Sequence, residues 1–410
     1  MAGDVLTLER AATERGFWPE FFRQQAAANA RFWLDYVSRA PSSTAALNRE
    51  RDNVAKALSI ALKVETAWQP AIQLLLASHR YVEWHGSGRD WEQFLAAGLD
   101  ISRRREDLAN EAAIVDRLGE LKRNDGDLAA AIACHEQAAQ LNGQLGNEVG
   151  RARALANLGH VYRLRSNYAE ATRVLEESLA ICEQCQALEG MAIAHTNLGF
   201  VQFVQGNVDQ ALAHHEAAYQ CSRQAGDPAG MARGQHNMGI AYFRQGHLEG
   251  AESCLQQAVA LYEQTHARLY RAMATLDLGN VYLRREDFEQ AEALYQEAKK
   301  VTQEARHPQG LAHALNNLGV VYNRQARHDL AQESLQHAVS LWAQLEQPVD
   351  QANSEGNLAE AYLGQQQWEA AAQLLSQAVE RLGRLQPTPR VEALLKELDT
   401  LLGKASARTA

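Results

Sequence analysis

Prolines are few, eight in 410 residues. Proline breaks helices by removing an N–H and clashing with the preceding turn, so their scarcity leaves long helical stretches open. Alanine, leucine, glutamine and glutamate dominate instead, which favours helix over sheet. Cysteines number five, at 134, 182, 185, 221 and 254. An odd count without a spaced framework excludes a disulfide scaffold and predicts reduced thiols in a cytoplasmic protein. No apolar run approaches about eighteen residues, so no transmembrane helix is expected. Met1 to Arg10 carries acids early and no apolar segment, so no secretory signal is visible. Positive charge is in deficit: 40 Lys and Arg against 50 Asp and Glu, net −10. That balance excludes a generally basic surface, and neither nucleic acid nor membrane is expected as a partner. Phosphate-cradling glycine loops and Gly-x-Ser-x-Gly are missing, as is any locally supported Ser/His/Asp set. The chain therefore reads as a non-enzyme without a cofactor.

What is present is repetition. Leu158-Gly159 returns at 118/119, 198/199, 278/279 and 318/319, with Met238-Gly239 and Leu358-Ala359 in the two remaining places. Each step is 40 residues. Twelve residues after each small residue stands an alanine: Ala131, Ala171, Ala211, Ala251, Ala291, Ala331 and Ala371. A period of this length with a glycine on one helix and alanine on the next is that of stacked helical hairpins. Leu155, Leu158 and Tyr162 share one face of the first helix of the second hairpin, helix A. Gly159 lets the second, helix B, approach closely. Ala171 and Ser178 line that contact, and Leu175 and Leu179 fill the gap to the next hairpin. Ser166-Asn167 makes the turn, and Asp227-Pro228 reads as an N-cap with proline at the first helical position. The extra length over the common 34-residue unit is expected in the helices and the loop between hairpins.

Three regions follow. Residues 1–105 carry five of the seven tryptophans. They read as helices near 4–15, 18–39, 43–63, 66–85 and 88–104, with a break at Pro41-Ser-Ser-Thr44. Trp84 and Gly86 suggest a degenerate first hairpin ending in the turn Gly86-Ser-Gly88. Residues 106–385 are seven 40-residue repeats. Residues 386–410 supply a capping helix from Arg390 to Gly403, with Lys404–Ala410 expected to be disordered. The fold class predicted is all-α: a right-handed superhelical solenoid of antiparallel helix pairs.

The pattern Leu-Gly-x-x-Tyr, then Ala, then a second small residue seven on, resembles the tetratricopeptide repeat. The 40-residue period and the Asn-Leu-Gly run resemble the longer repeats of kinesin light chain and the Leu-Gly-Asn adaptor proteins. That resemblance implies an array that binds peptide segments along its inner groove. In the N-terminal region Trp33-Leu34, Glu50-Arg-Asp-Asn53-Val-Ala-Lys-Ala57-Leu58 and Gly88-Arg-Asp-Trp91 resemble the helical linker of bacterial STAND-type regulators. There the repeats sense an inducer or partner, which implies a signalling role. The ATPase module's Gly-x-x-x-x-Gly-Lys-Ser/Thr run is not found, so the chain reads as a sensor portion or a free-standing relative.

One stripe of helix A carries the candidate contacts. It comprises Arg153, Asn157, His160 and Leu164; Ile193, Asn197, Phe200 and Val204; Arg233, Asn237, Ile240 and Arg244; Met273, Asp277, Asn280 and Arg284; His313, Asn317, Val320 and Arg324. Asn357 holds the same place in the last repeat, and Glu120 and Glu360 lie on the stripe at the two ends. Five arginines against one acid in repeats two to six reverse the chain's overall balance. Such a face suits an anionic ligand. Arginine pairs bidentately with carboxylates, and asparagine offers donor and acceptor to a peptide backbone. The partner expected is a protein or peptide segment with acidic side chains or a free carboxylate.

A structural reading stands beside this one. The asparagines could bond the neighbouring helix and set the twist, and Arg244, Arg284 and Arg324 could simply complement helix C-termini. The other functions in view are a receptor for a small signalling peptide and a scaffold that self-associates through its ends. Cys182-x-x-Cys185 lacks a second ligand pair and reads as apolar filling, so no metal is expected. His214-His215-Glu216 lies on helix B without the His-Glu-x-x-His register. Tyr162, Tyr242, Tyr282, Tyr322 and Tyr362 occupy the packing position.

Overall fold

The computed structural model describes residues 17–39, 44–78 and 88–409. Every regular element among them is helical, and consecutive helices pack in pairs. Helices α1 (Phe17–Arg39), α2 (Thr44–Ala61), α3 (Trp68–Ala77) and α4 (Gly88–Arg104) precede the array. The first three repeats are α5 (Leu108–Asn124) with α6 (Leu128–Gln144), α7 (Glu148–Leu164) with α8 (Tyr168–Gln184), and α9 (Leu188–Val204) with α10 (Val208–Ala225). The next two are α11 (Pro228–Gln245) with α12 (Leu248–Gln264) and α13 (Arg268–Arg284) with α14 (Phe288–Glu304). The last two are α15 (Pro308–Arg324) with α16 (His328–Gln344) and α17 (Pro348–Gly364) with α18 (Trp368–Gly383), followed by α19 (Pro389–Thr409). The chain forms two compact units, residues 1–225 and 226–410. The expected helix at 4–15, the break led by Pro41 and the Trp84–Gly86 hairpin signal lie outside the described residues. The helix expected over 66–85 begins as a 3-10 turn at Glu65–Ala67 and continues as α3.

The period has a simple origin. α7 and α8 are 17 residues each, and every turn around them is three residues, 145–147 and 165–167. Two helices and two turns make 40. The length beyond the common unit therefore sits in the helices; the loop between hairpins, expected to share it, is as short as the turn within one.

Each turn reverses the chain with one left-handed residue. Ser166 has φ 58°, and the Asn167 N–H then reaches back to the Tyr162 carbonyl at 2.9 Å. The Asn167 side chain accepts the Glu170 N–H at 3.4 Å and caps α8. At the next repeat but one, Asp227 caps α11 by accepting the Ala229 N–H at 3.0 Å, with Pro228 behind it. The left-handed position recurs every 20 residues, from Glu106 and Gly126 through Gly246 to Ala326 and Gln366.

Packing inside a hairpin turns on the repeated glycine. A Cβ on Gly159 would lie 2.4 Å from Cγ of Leu175, and one on Gly279 would lie 2.5 Å from Cε1 of Tyr295. Ala171 and Ser178 flank the contact, fully buried, and Ser178 Oγ donates to the Ala152 carbonyl at 2.7 Å. Leu175 then meets Leu198 and Val201 of the following repeat. The tyrosines pack against this core and bond the preceding helix B: Tyr162 donates to Glu136 at 3.1 Å, and Tyr282 to Glu252 at 2.6 Å.

In the first unit, α1–α4 and α5 share a core that includes Leu58, Ile72, Leu75, Trp91, Leu95 and Ile114. In the second, α19 covers the last pair through Val391, Leu394, Leu398 and Leu401. The tail expected to be disordered is helical through Thr409. Ala405 is fully buried in the same cluster, and the Arg408 guanidinium sits 5.6 Å above the Trp368 ring.

Candidate functional site

The helix A stripe differs between the two units. In residues 1–225 it is largely satisfied from within. Asp116 of α5 is buried and meets three partners: His135 Nδ1 at 2.9 Å, Asn157 Nδ2 at 3.2 Å and Arg153 Nε at 3.3 Å. Asn157 also donates to Glu120 at 3.3 Å, which Arg117 holds at 2.8 Å. His160 faces Arg123 at 3.4 Å; burial, then the charges of Arg123 and Arg163, push its pKa down to about 3. Phe200 takes the Arg163 guanidinium over its ring at 5.4 Å and the His215 ring against its edge. Asn197 is half-buried.

A rule not visible in the notional stripe connects these contacts. The residue 41 positions before the asparagine place is its hydrogen-bond partner: Asp116 for Asn157, His236 for Asp277, Asn316 for Asn357. The distances are 3.2, 2.7 and 3.0 Å. The residue 37 before serves in the same way for Asn317, which donates to Asn280 at 3.0 Å. Successive A helices are thus laced by polar side chains. The signal that could have found this is a polar residue, Asp116, His236 or Asn316, where Ala156 and Leu276 stand in other repeats.

In residues 226–410 the stripe opens onto a cleft of about 560 Å³. Phe243, Leu283, Phe288 and Val320 provide apolar walls, and Arg284 and Arg324 provide guanidinium groups. Asn280 and Glu286 complete the lining. The left-handed turn at Glu286 brings Phe288 round to the cleft beside the end of α13. Asn280 is held by Tyr295, whose hydroxyl donates to it at 2.7 Å. Arg284 donates to the Phe243 carbonyl at 3.0 Å. Arg324 is exposed, as is Arg244 two repeats earlier; Arg233 pairs with Asp227 at 3.6 Å. Asn237 is buried. His313 packs edge-on against Trp342 at 4.7 Å, and burial lowers its pKa. Glu360 is pushed up by burial, with Arg324 acting against that shift. The arrangement can hold an apolar side chain between cationic groups that accept an anion.

Elsewhere Cys182 is buried among Leu155, Leu158 and Ile181, while Cys185 is exposed. Among the described residues no helix is long and apolar enough to cross a membrane.

A model of the tetratricopeptide repeat matches residues 111–184, 190–264, 270–344 and 310–383. No curated protein sequence matches the chain. Among solved structures, a STAND protein with a tetratricopeptide repeat sensor from Pyrococcus horikoshii aligns with a TM-score of 0.65 at 16% identity. The alignment covers 93% of this chain, more than the array alone, and 55% of that one. Aspartyl phosphate phosphatase F from Bacillus subtilis aligns at 0.58 with 12% identity, over 88% and 94% of the two chains. A Rap protein complexed with Competence and Sporulation Factor aligns at 0.55 with 14% identity, over 94% and 99%. At these identities the structures share the fold. With the repeat model matched across most of the sequence, the chain belongs to the tetratricopeptide repeat family.

Proposed function

We propose that the chain is a non-catalytic interaction module, a sensor or adaptor in bacterial signalling, whose helix A row clamps a protein or peptide segment bearing acidic groups or a free carboxylate. The observation that carries this reading is the cleft lined by Phe243, Leu283, Phe288 and Val320 with Arg284 and Arg324 among its walls. An apolar anchor in such a pocket excludes water around the guanidinium groups, which strengthens their pairing with a carboxylate. Residues 1–225 offer less: Arg153 and Asn157 are already bonded to Asp116. The segment is therefore gripped chiefly by repeats four to six. The sensor role of the repeats in the STAND protein and the factor bound by the Rap protein support a signalling setting.

A random peptide library panned on the full chain tests this. Enriched peptides should combine acidic residues with a large apolar one. Capture should fail in the charge reversals Arg284→Glu and Arg324→Glu, with an unchanged melting temperature for the latter. Enrichment without acids, or capture surviving both reversals, would overturn the reading.

A further inference from the structure

Repeat three departs from repeat two at a pair of facing positions. In repeat two, Leu155 of α7 and Val174 of α8 lie buried in one apolar cluster. Forty residues on, the same places hold His195 of α9 and His214 of α10. Their Nδ1 atoms approach to 3.1 Å, with the rings 5.4 Å apart and tilted by 39°. Both side chains are half-buried.

From this convergence we infer a site for a transition-metal dication of the zinc class, held by His195 and His214. Imidazole is the ligand such ions favour, at about 2.0–2.1 Å from nitrogen. Two nitrogens 3.1 Å apart at those bond lengths subtend about 95–102° at the metal. That lies between the octahedral and tetrahedral angles, so the separation of the two nitrogens suits one shared ion.

Nearby carboxylates act in favour of a cation there. Glu183 acts on His195 and Glu176 acts on His214, each in the sense that favours positive charge. Among the described residues no group of three or more His, Cys, Asp or Glu converges. Water completes the coordination sphere, and the ion exchanges readily. Because the ligands come from α9 and α10, the ion ties the two helices of one hairpin together.

Titration of the full chain with zinc chloride, followed by calorimetry and by thermal melting, tests the site. One ion per chain and a raised melting temperature are expected. Both should be lost in His195→Leu and in His214→Val, which restore the residues of repeat two, and kept in His337→Ala at an exposed histidine. Without metal, the two variants should melt no lower than the parent. Zinc uptake unchanged in either variant, or none in the parent, would overturn the inference and leave the pair as a plain imidazole hydrogen bond. Should a variant fail to fold, the imidazole signals of His195 and His214 in the parent are followed by NMR during the titration. Their failure to shift would be equally decisive against it.

Discussion

Arg284 grips Phe243 twice: its Nη1 donates to the Phe243 carbonyl at 3.0 Å, and its guanidinium lies 5.2 Å above the Phe243 ring. That carbonyl, near the end of α11, already accepts the Gly246 N–H at 3.0 Å, so the guanidinium takes its second lone pair. Arg284 is thus both a wall of the cleft and a tie between α11 and α13; Arg324, exposed like Arg284, lines the same cleft.

The two arginines should separate by mutation. Arg324→Ala is expected to weaken peptide capture by about tenfold, the cost of losing one hydrogen bond to a charged group, and to leave the melting temperature alone. Arg284→Ala should weaken capture too, but with a small loss of stability, under about 1 kcal/mol for an exposed cation–ring contact. Capture by the parent should also weaken as salt rises, since screening acts on exposed charges. Paired capture and melting measurements at two ionic strengths check all three. If Arg324→Ala lowers stability and leaves capture intact, the arginine is structural.

Gly279→Ala puts a methyl where Tyr295, fully buried, already lies 2.5 Å away. The ring cannot swing aside without breaking its 2.7 Å bond to Asn280. We expect overpacking of about 1–3 kcal/mol. A repeat array need not unfold in one step, so the loss is read locally, as faster amide exchange in α13 and α14. Unchanged protection there would contradict the packing account.

How much of this was legible in the residues differs by level. The hairpins were, because the Gly159–Leu175 contact recurs as a phased glycine, and period alone reports it. The end of the chain is less legible: Lys404–Thr409 looks polar, yet Ala405 is buried in the α19 cluster and the Arg408 guanidinium lies over the Trp368 ring. At the site, the stripe placed Arg284, Arg324 and Asn280 on one face, and these three line the cleft. It could not show that Phe243 and Phe288 come from other helices to build the walls, since those contacts depend on three-dimensional stacking. Nor could it show that Arg153 is spent on Asp116, 37 residues earlier, because a buried acid and a solvated one look alike in sequence.

The left-handed turn positions offer a two-sided test. Ala326 has φ 57° and Gly246 has φ 82° at equivalent places in two turns. A non-glycine residue there carries a backbone penalty of about 1–2 kcal/mol, while glycine costs about 0.5–1 kcal/mol through the unfolded chain. Ala326→Gly should therefore stabilise slightly, by under about 1 kcal/mol, and Gly246→Ala should destabilise by a similar amount. Opposite shifts in melting temperature are the expected result. Shifts of the same sign would mean that side-chain contacts at 326 or 246, rather than φ, govern these turns.

Acid should weaken the array through buried imidazoles, and His215 is the clearest case. It is buried against Gly199 and Phe200, its Nδ1 has no partner, and burial lowers its pKa to about 4, with His214 adding to the shift. An unfolded histidine titrates near 6.5. Between pH 6.5 and about 4 the unfolded chain therefore binds a proton that the folded chain refuses. Stability is complete above that window and declines as pH falls through it, by at most about 3 kcal/mol for this one group. His215→Leu installs the residue that Leu175, Leu255, Leu335 and Leu375 place at the same position of other repeats. We expect the variant to keep or raise its melting temperature at pH 7.5 and to shift its acid-unfolding midpoint downward, with circular dichroism as the readout. An unmoved midpoint would assign the acid sensitivity to the other histidines that burial lowers, among them His160, pushed down to about 3, and His313.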